Sequence, residues 1–199
     1  MNAKSICVFC GSAVGVRPDY ARAARDLGHA LVKEGCTLVY GGGGVGLMGV
    51  LADSVLDDGG RIIGVIPRRL ATIELAHPRV TQMRVVNDMH SRKALMSELS
   101  EGFVALPGGF GTLDELVEAV TWAQLGMHDK PIGLLNVAGF YDPLLEFIDH
   151  AVSQSFIRRR HAGLLAVDDD AQRLLKTVLV ASSKPAIQRD KVSERTVEP

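Results

Sequence analysis

What most limits the folds open to this chain is a change of hydrophobic period that recurs along its length. Short apolar runs stop at a glycine or proline and give way to longer stretches with helical spacing. Residues 5–10, 37–40, 61–66 (closed by Pro67), 82–86, 103–106, 131–135 and 164–167 read as strands. Residues 18–34, 45–57, 88–99, 112–125, 141–154 and 168–180 read as helices. The strands are nearly continuous apolar runs, which fits a parallel sheet covered on both faces. The fold expected is α/β: a doubly wound, mostly parallel sheet in one Rossmann-like domain over 1–181. Residues 182–199 are polar and without period, and are expected to be a disordered tail. In such folds the ligand sits beyond the carboxyl ends of the strands, where strand order reverses.

At 199 residues, 47% hydrophobic and 23% charged, the chain can bury a core without disulfides or metal. Its 22 Lys plus Arg against 23 Asp plus Glu leave a formal charge of −1, so no basic field exists to hold a nucleic-acid polymer or an anionic membrane. A small-molecule site is the better expectation. Three cysteines, Cys7, Cys10 and Cys36, are too few for a disulfide framework and suit a reducing cytoplasm. No leader-like apolar segment and no membrane-length apolar run is seen. The six histidines lack metal-ligand spacing, so no metal site is expected.

Glycine makes up 21 residues and clusters at two strand ends. Gly41-Gly42-Gly43-Gly44-Val45-Gly46 contains the letters of the dinucleotide fingerprint, but it follows the second strand, and the next strand ends in Ile66-Pro67 with no acid for a ribose hydroxyl. A nicotinamide cofactor is not expected. The physical content remains: without Cβ atoms, Gly43 and Gly44 let backbone N–H groups and a helix start approach a phosphate. Pro107-Gly108-Gly109-Phe110-Gly111-Thr112-Leu113-Asp114-Glu115 combines a rigid turn, three glycines, a hydroxyl and two acids at a helix start. Thr112 and Glu115 also match a T-x-x-E capping box. In the helix over 88–99, with Asn87 or Asp88 as N-cap, Arg92 and Lys93 oppose the helix dipole, which is compatible with an anion at that helix start. Cys7-x-x-Cys10 lies within a strand and reads as buried thiols. Residues 68–81 have no clear period, and a loop of that length is usually a lid or part of an interface.

Taken together, Cys10-Gly11-Ser12, GGGGVGLMG over 41–49, Met89-His90-Ser91-Arg92-Lys93, PGGFGTLDE over 107–115 and TWAQLG over 121–126 resemble the LOG ("Lonely guy") family of cytokinin riboside 5′-monophosphate phosphoribohydrolases. The resemblance spans about 5–180. It implies a Rossmann-like homodimer that hydrolyses the N-glycosidic bond of N6-modified AMP to free base and ribose 5-phosphate, with no cofactor. It also implies that Arg92 and Glu115 form the catalytic pair and that the turn from Gly108 through Gly109, Phe110 and Gly111 to Thr112 holds the 5′-phosphate. Gly11, Ser12, Glu74 and Lys93 would line the nucleotide site. Asp114 stands where many relatives carry Glu, a shorter acid beside the ribose. Relatives with this block are often labelled lysine decarboxylases, yet no lysine with a pyridinium partner is evident for that chemistry. A carrier of nucleotides or phosphorylated cofactors on the same fold is the alternative. Such a carrier would not need both Arg92 and Glu115. The expected partner is an AMP-type nucleotide.

Overall fold

The computed structural model describes residues 4–71, 76–80 and 82–183. Seven strands form one sheet: β1 (Ser5–Phe9), β2 (Thr37–Tyr40), β3 (Arg61–Pro67), β4 (Gln82–Val86), β5 (Gly102–Ala105), β6 (Ile132–Leu135) and β7 (Leu165–Asp168). Every neighbouring pair is parallel, in the order β4-β3-β2-β1-β5-β6-β7. Strand order reverses at β1, whose Ile6 is in register with Leu38 of β2 on one side and Gly102 of β5 on the other. The crevice between the carboxyl ends of β1 and β5 is therefore the place for a ligand.

Alternate residues of each strand serve two cores. Ile6 and Val8 of β1 pack beneath α1 (Pro18–Lys33), α2 (Gly46–Asp57) and the last helix, α8 (Ala171–Ser182). Cys7 and Phe9 face α4 (Met89–Glu98), α5 (Phe110–Gln124) and α6 (Asp142–Ser153). This is the doubly wound arrangement expected, with period-two side chains feeding a helix layer on each face. The strand cysteines consequently point to opposite cores. All three cysteines are free and buried, and burial pushes the Cys7 and Cys10 thiols well above their ordinary range.

Several boundaries differ from those expected. Helix α5 starts at Phe110, two residues before Thr112, because Gly109 adopts the extended backbone of an N-cap. The last helix starts at Ala171 and not Asp168. Asp168 pairs with Leu135 in β7, and Asp170 caps α8 by accepting from the Arg173 N–H. Ser182 closes α8 and Ser183 is its C-cap; the rest of the expected tail, 184–199, lies outside the described residues. Short elements α3 (Arg68–Ala71) and α7 (Arg159–Ala162) and a single 3-10 turn at Val137–Gly139 were not anticipated. Part of the aperiodic loop lies on the glycine run: Ala76 bridges Gly43, and the His77 N–H donates to the Gly42 carbonyl at 3.0 Å. Glu74 lies outside the described residues.

Candidate active site

Two loops are laced together at the switch point. The Gly11 N–H donates to the Pro107 carbonyl at 3.0 Å, and the Leu106 N–H donates to the Phe9 carbonyl at 2.9 Å. Gly108 has to be glycine here, since a Cβ on it would overlap the Thr112 hydroxyl. Gly109 then caps α5 without a side-chain hydrogen bond. The N–H groups of Phe110, Gly111 and Thr112 have no partner within the helix, as in any first turn, and these residues border an open cleft of about 190 Å³. Unsatisfied donors and the positive end of a helix converge there, which is the requirement for holding a phosphate.

The alternative reading of Thr112 and Glu115 as a capping box does not hold. With the helix starting at Phe110, Thr112 is its third residue and Glu115 its sixth. Both are turned inward, 3% and 9% exposed, and both line the cleft. The expected anion at the start of α4 is also already supplied by the protein, because the Asp88 carboxylate accepts from the Ser91 N–H at 2.7 Å.

Arg92 reaches the cleft from α4 and is 7% exposed. Its Nε donates to the Val65 carbonyl at 3.1 Å, and its Nη2 donates to the Gly41 carbonyl at 3.1 Å. These carbonyls belong to the carboxyl ends of β3 and β2, so two strands fix the guanidinium plane. The remaining Nη1 stands 3.9 Å from Glu115 Oε1 and 3.8 Å from Met89 Sδ. Burial pushes the Glu115 carboxyl up to about 7; the Arg92 guanidinium opposes the rise and Asp114 adds to it. A carboxyl in that range is populated in both protonation states at neutral pH, which suits proton transfer.

Of the residues expected at the site, Gly11, Ser12, Arg92, Gly109, Phe110, Gly111, Thr112 and Glu115 share this cleft. Gly108 lines an adjoining cleft of about 250 Å³ with the loop after β1, Tyr20 and Phe140. Gly43 and Gly44 do not line this cleft. Gly43 is occupied by its bridge to Ala76, and the Gly44 carbonyl is packed where a Cβ on Gly49 would fall. Of the four glycines Gly41 lines the cleft, and the start of α2 is spent on the protein itself, with Leu47 N–H donating to the Gly11 carbonyl at 3.0 Å. Lys93 and Asp114 also stay out of the cleft wall, since Lys93 Nζ lies 3.0 Å from Asp114 Oδ2 and 3.0 Å from Glu118 Oε1. Met48, Met89 and Cys10 line the cleft without having been anticipated. Apolar residues on helix starts and strand ends give no signal separating a cleft wall from a core. Among the described residues no cluster of His, Cys, Asp or Glu could hold a metal ion.

Fold and site together define a doubly wound α/β protein with a cleft at its switch point, bordered by an uncapped helix start and a buried arginine–glutamate pair. Residues 48–178 match the family described as "Possible lysine decarboxylase". The chain is 51% identical over 173 residues to the cytokinin riboside 5′-monophosphate phosphoribohydrolase LOG3 of Arabidopsis thaliana, covering 87% of this chain and 80% of the relative. It is 52% identical over 171 residues to LOG4 of the same plant, covering 86% and 80%. The chain belongs to this family, and within it to the LOG proteins. Among solved structures, the molybdenum cofactor carrier protein of Chlamydomonas reinhardtii superposes with a TM-score of 0.71 at 23% identity, covering 92% of this chain and 100% of that one; the likeness extends to the fold. The decarboxylase description would call for a lysine able to hold pyridoxal phosphate. Among the described residues no lysine lines the cleft, and Lys93 is held by two carboxylates, so these residues do not fit that group.

Proposed function

We propose that this chain is a phosphoribohydrolase that cleaves the N-glycosidic bond of N6-modified adenosine 5′-monophosphates, releasing the free base and ribose 5-phosphate. One observation carries the reading: a buried Arg92–Glu115 pair stands beside an uncapped helix start in a cleft at the switch point. The chain is half identical, over most of its length, to proteins named for that reaction.

The first turn of α5 and the Gly11-Ser12 loop would take the 5′-phosphate, and this remote binding energy aligns the ribose. Glu115 is the one acid lining the cleft among the described residues. Departure of the base builds positive charge on the ribose, which the ionised carboxylate stabilises. Water then adds to the anomeric carbon, and the proton it sheds passes by way of Glu115 to the nitrogen of the departed base, which is released neutral and leaves the carboxylate ionised again. Arg92, tied to two strand ends, holds the carboxylate in place and favours its ionised state. The test is to incubate the protein with N6-isopentenyl-AMP and look for free base by chromatography. Base release that disappears in Arg92→Ala is expected; intact nucleotide with folded wild-type protein would sink the proposal.

The protein is further proposed to work as a homodimer in the cytoplasm. Phe110 is 92% exposed, and Val85, Met89, Val117, Leu125 and Met127 are also exposed, on β4, α4, α5 and the turn after α5. Apolar residues of this kind call for a cover, and a second copy supplies one. Free, buried cysteines fit a reducing compartment. Among the described residues no helix is long and apolar enough to cross a membrane.

A further inference from the structure

The lysine next to the catalytic arginine faces away from the cleft. Successive residues on a helix diverge by about 100°, so with Arg92 directed at the ends of β2 and β3, Lys93 is carried round toward α5. There its ammonium meets Asp114 and Glu118 at 3.0 Å each, with the side chain only 11% exposed. Together with Phe9, Ser97, Phe103 and Glu115 it borders a void of about 10 Å³ behind the catalytic carboxylate. That space is the size of one water and excludes a nucleotide.

Three ion pairs join α4 to α5 among the described residues: Arg92 with Glu115, and Lys93 with Asp114 and with Glu118. The first spans 3.9 Å, the others 3.0 Å. The close contacts thus flank the catalytic pair and leave the catalytic contact itself long. We propose that Lys93 is a positioning residue, clamping α4 to α5 and balancing the charges around Glu115, and is not a ligand of the substrate.

The groups facing Glu115 make the consequence specific. From α4 come Arg92 and Lys93, both favouring its ionised state; from its own helix come Asp114 and Glu118, both opposing it. From β1 and the residue after it come the Cys7 and Cys10 thiols, held neutral by burial. Removing the Lys93 charge leaves two carboxylates facing Glu115 with Arg92 alone in opposition. The Glu115 midpoint then rises. Removing Glu118 has the reverse effect. A lysine that bound the phosphate would leave the midpoint alone and weaken binding instead.

The kinetic arm of the test rests on the phosphoribohydrolase reading; the titration arm does not. Full-length wild type, Lys93→Met, Lys93→Arg and Glu118→Gln are labelled with 13C at glutamate side chains, and the Glu115 carboxyl is assigned by its loss in Glu115→Gln. Its titration is followed by NMR, and kcat and KM for N6-isopentenyl-AMP are measured across pH. Expected are an upward shift of about one pH unit in Lys93→Met, a downward shift in Glu118→Gln, recovery in Lys93→Arg, and KM within about threefold of wild type at each midpoint. A tenfold rise in KM for Lys93→Met with an unmoved midpoint would make Lys93 a substrate ligand and overturn the proposal. Unmoved midpoints in both Lys93→Met and Glu118→Gln would overturn it equally. Should Lys93→Met fail to fold, Glu118→Gln, which keeps the Lys93–Asp114 pair, decides by its own midpoint. A wild type without turnover would refute the enzymatic reading while the titrations still judge the clamp.

Discussion

Replacing Glu115 with Gln removes a charge and almost no volume, and the consequence for stability depends on pH. The folded carboxyl sits at about 7 against an ordinary 4.5, so between those values the folded chain holds a proton that the unfolded chain has lost. Stability is therefore full below about pH 4.5 and declines as pH rises through 7. The interval of 2.5 units corresponds to roughly 3 kcal/mol at 1.36 kcal/mol per unit, with the attraction to Arg92 already contained in it. Gln cannot ionise and escapes this cost. At pH 4, below the unfolded midpoint, the two proteins should melt together, since both then present a neutral side chain to Arg92 and neither gains by ionising on unfolding. At pH 8.5 the Gln variant should be more stable by about 3 kcal/mol, or roughly 6–12 °C in Tm for a domain of this size. The same variant should lose 10²-fold or more in turnover, the typical effect of deleting one electrostatic stabiliser. Calorimetry at the two pH values reads the first effect and single-turnover base release reads the second. A Tm difference that is the same at both pH values would show that Glu115 titrates as an ordinary surface acid, and the argument for its role in proton transfer would fall with it.

Other consequences can be checked on the same preparation. Gly41→Ala should keep its circular dichroism spectrum and lose on the order of 10²-fold in turnover, because the new Cβ overlaps Arg92 Nη2 and displaces the guanidinium; near-normal kinetics would show that the tether is dispensable. The acid limb of kcat/KM should have its midpoint near 7, where Glu115 becomes the base, and a midpoint near 4.5 would contradict that assignment. Adenosine should be a far poorer substrate than AMP, since the first turn of α5 is unsatisfied without a phosphate; equal kcat/KM values would remove the phosphate site. Light scattering at micromolar concentration should give twice the chain mass, and a monomer would count against the proposed assembly.

The sheet was legible because its strands are short apolar runs ended by glycine or proline. Residues 37–40 and 82–86 were bounded as they occur. Elements of one turn, such as Arg68–Ala71 and Arg159–Ala162, are too short to show a period. At the site, the glycines after β5 and the pair Arg92 and Glu115 were visible as residue types at strand ends. Their partners were not, because Arg92 is held by two main-chain carbonyls, and any residue supplies a carbonyl. Gly43 and Gly44 lie off the cleft for a related reason: an absent side chain admits a phosphate or a neighbouring strand equally well, and here Gly43 is bridged to Ala76. The T-x-x-E pattern misled because a cap depends on where the helix begins, and Gly109 moved that point two residues upstream.

The tether of Arg92 to the Gly41 and Val65 carbonyls makes the guanidinium a gauge of the spacing between two adjacent strands. Side-chain replacements within β2 and β3 leave both acceptors in place, whereas a Cβ on Gly41, just past β2, meets Arg92 Nη2 directly. A sliding of one strand against the other would not be tolerated in the same way. The two acceptors would part, the rigid planar fork could follow only one of them, and the remaining nitrogen would swing off Glu115. Within β2 and β3, the placement of Arg92 should therefore track backbone register more than side-chain identity.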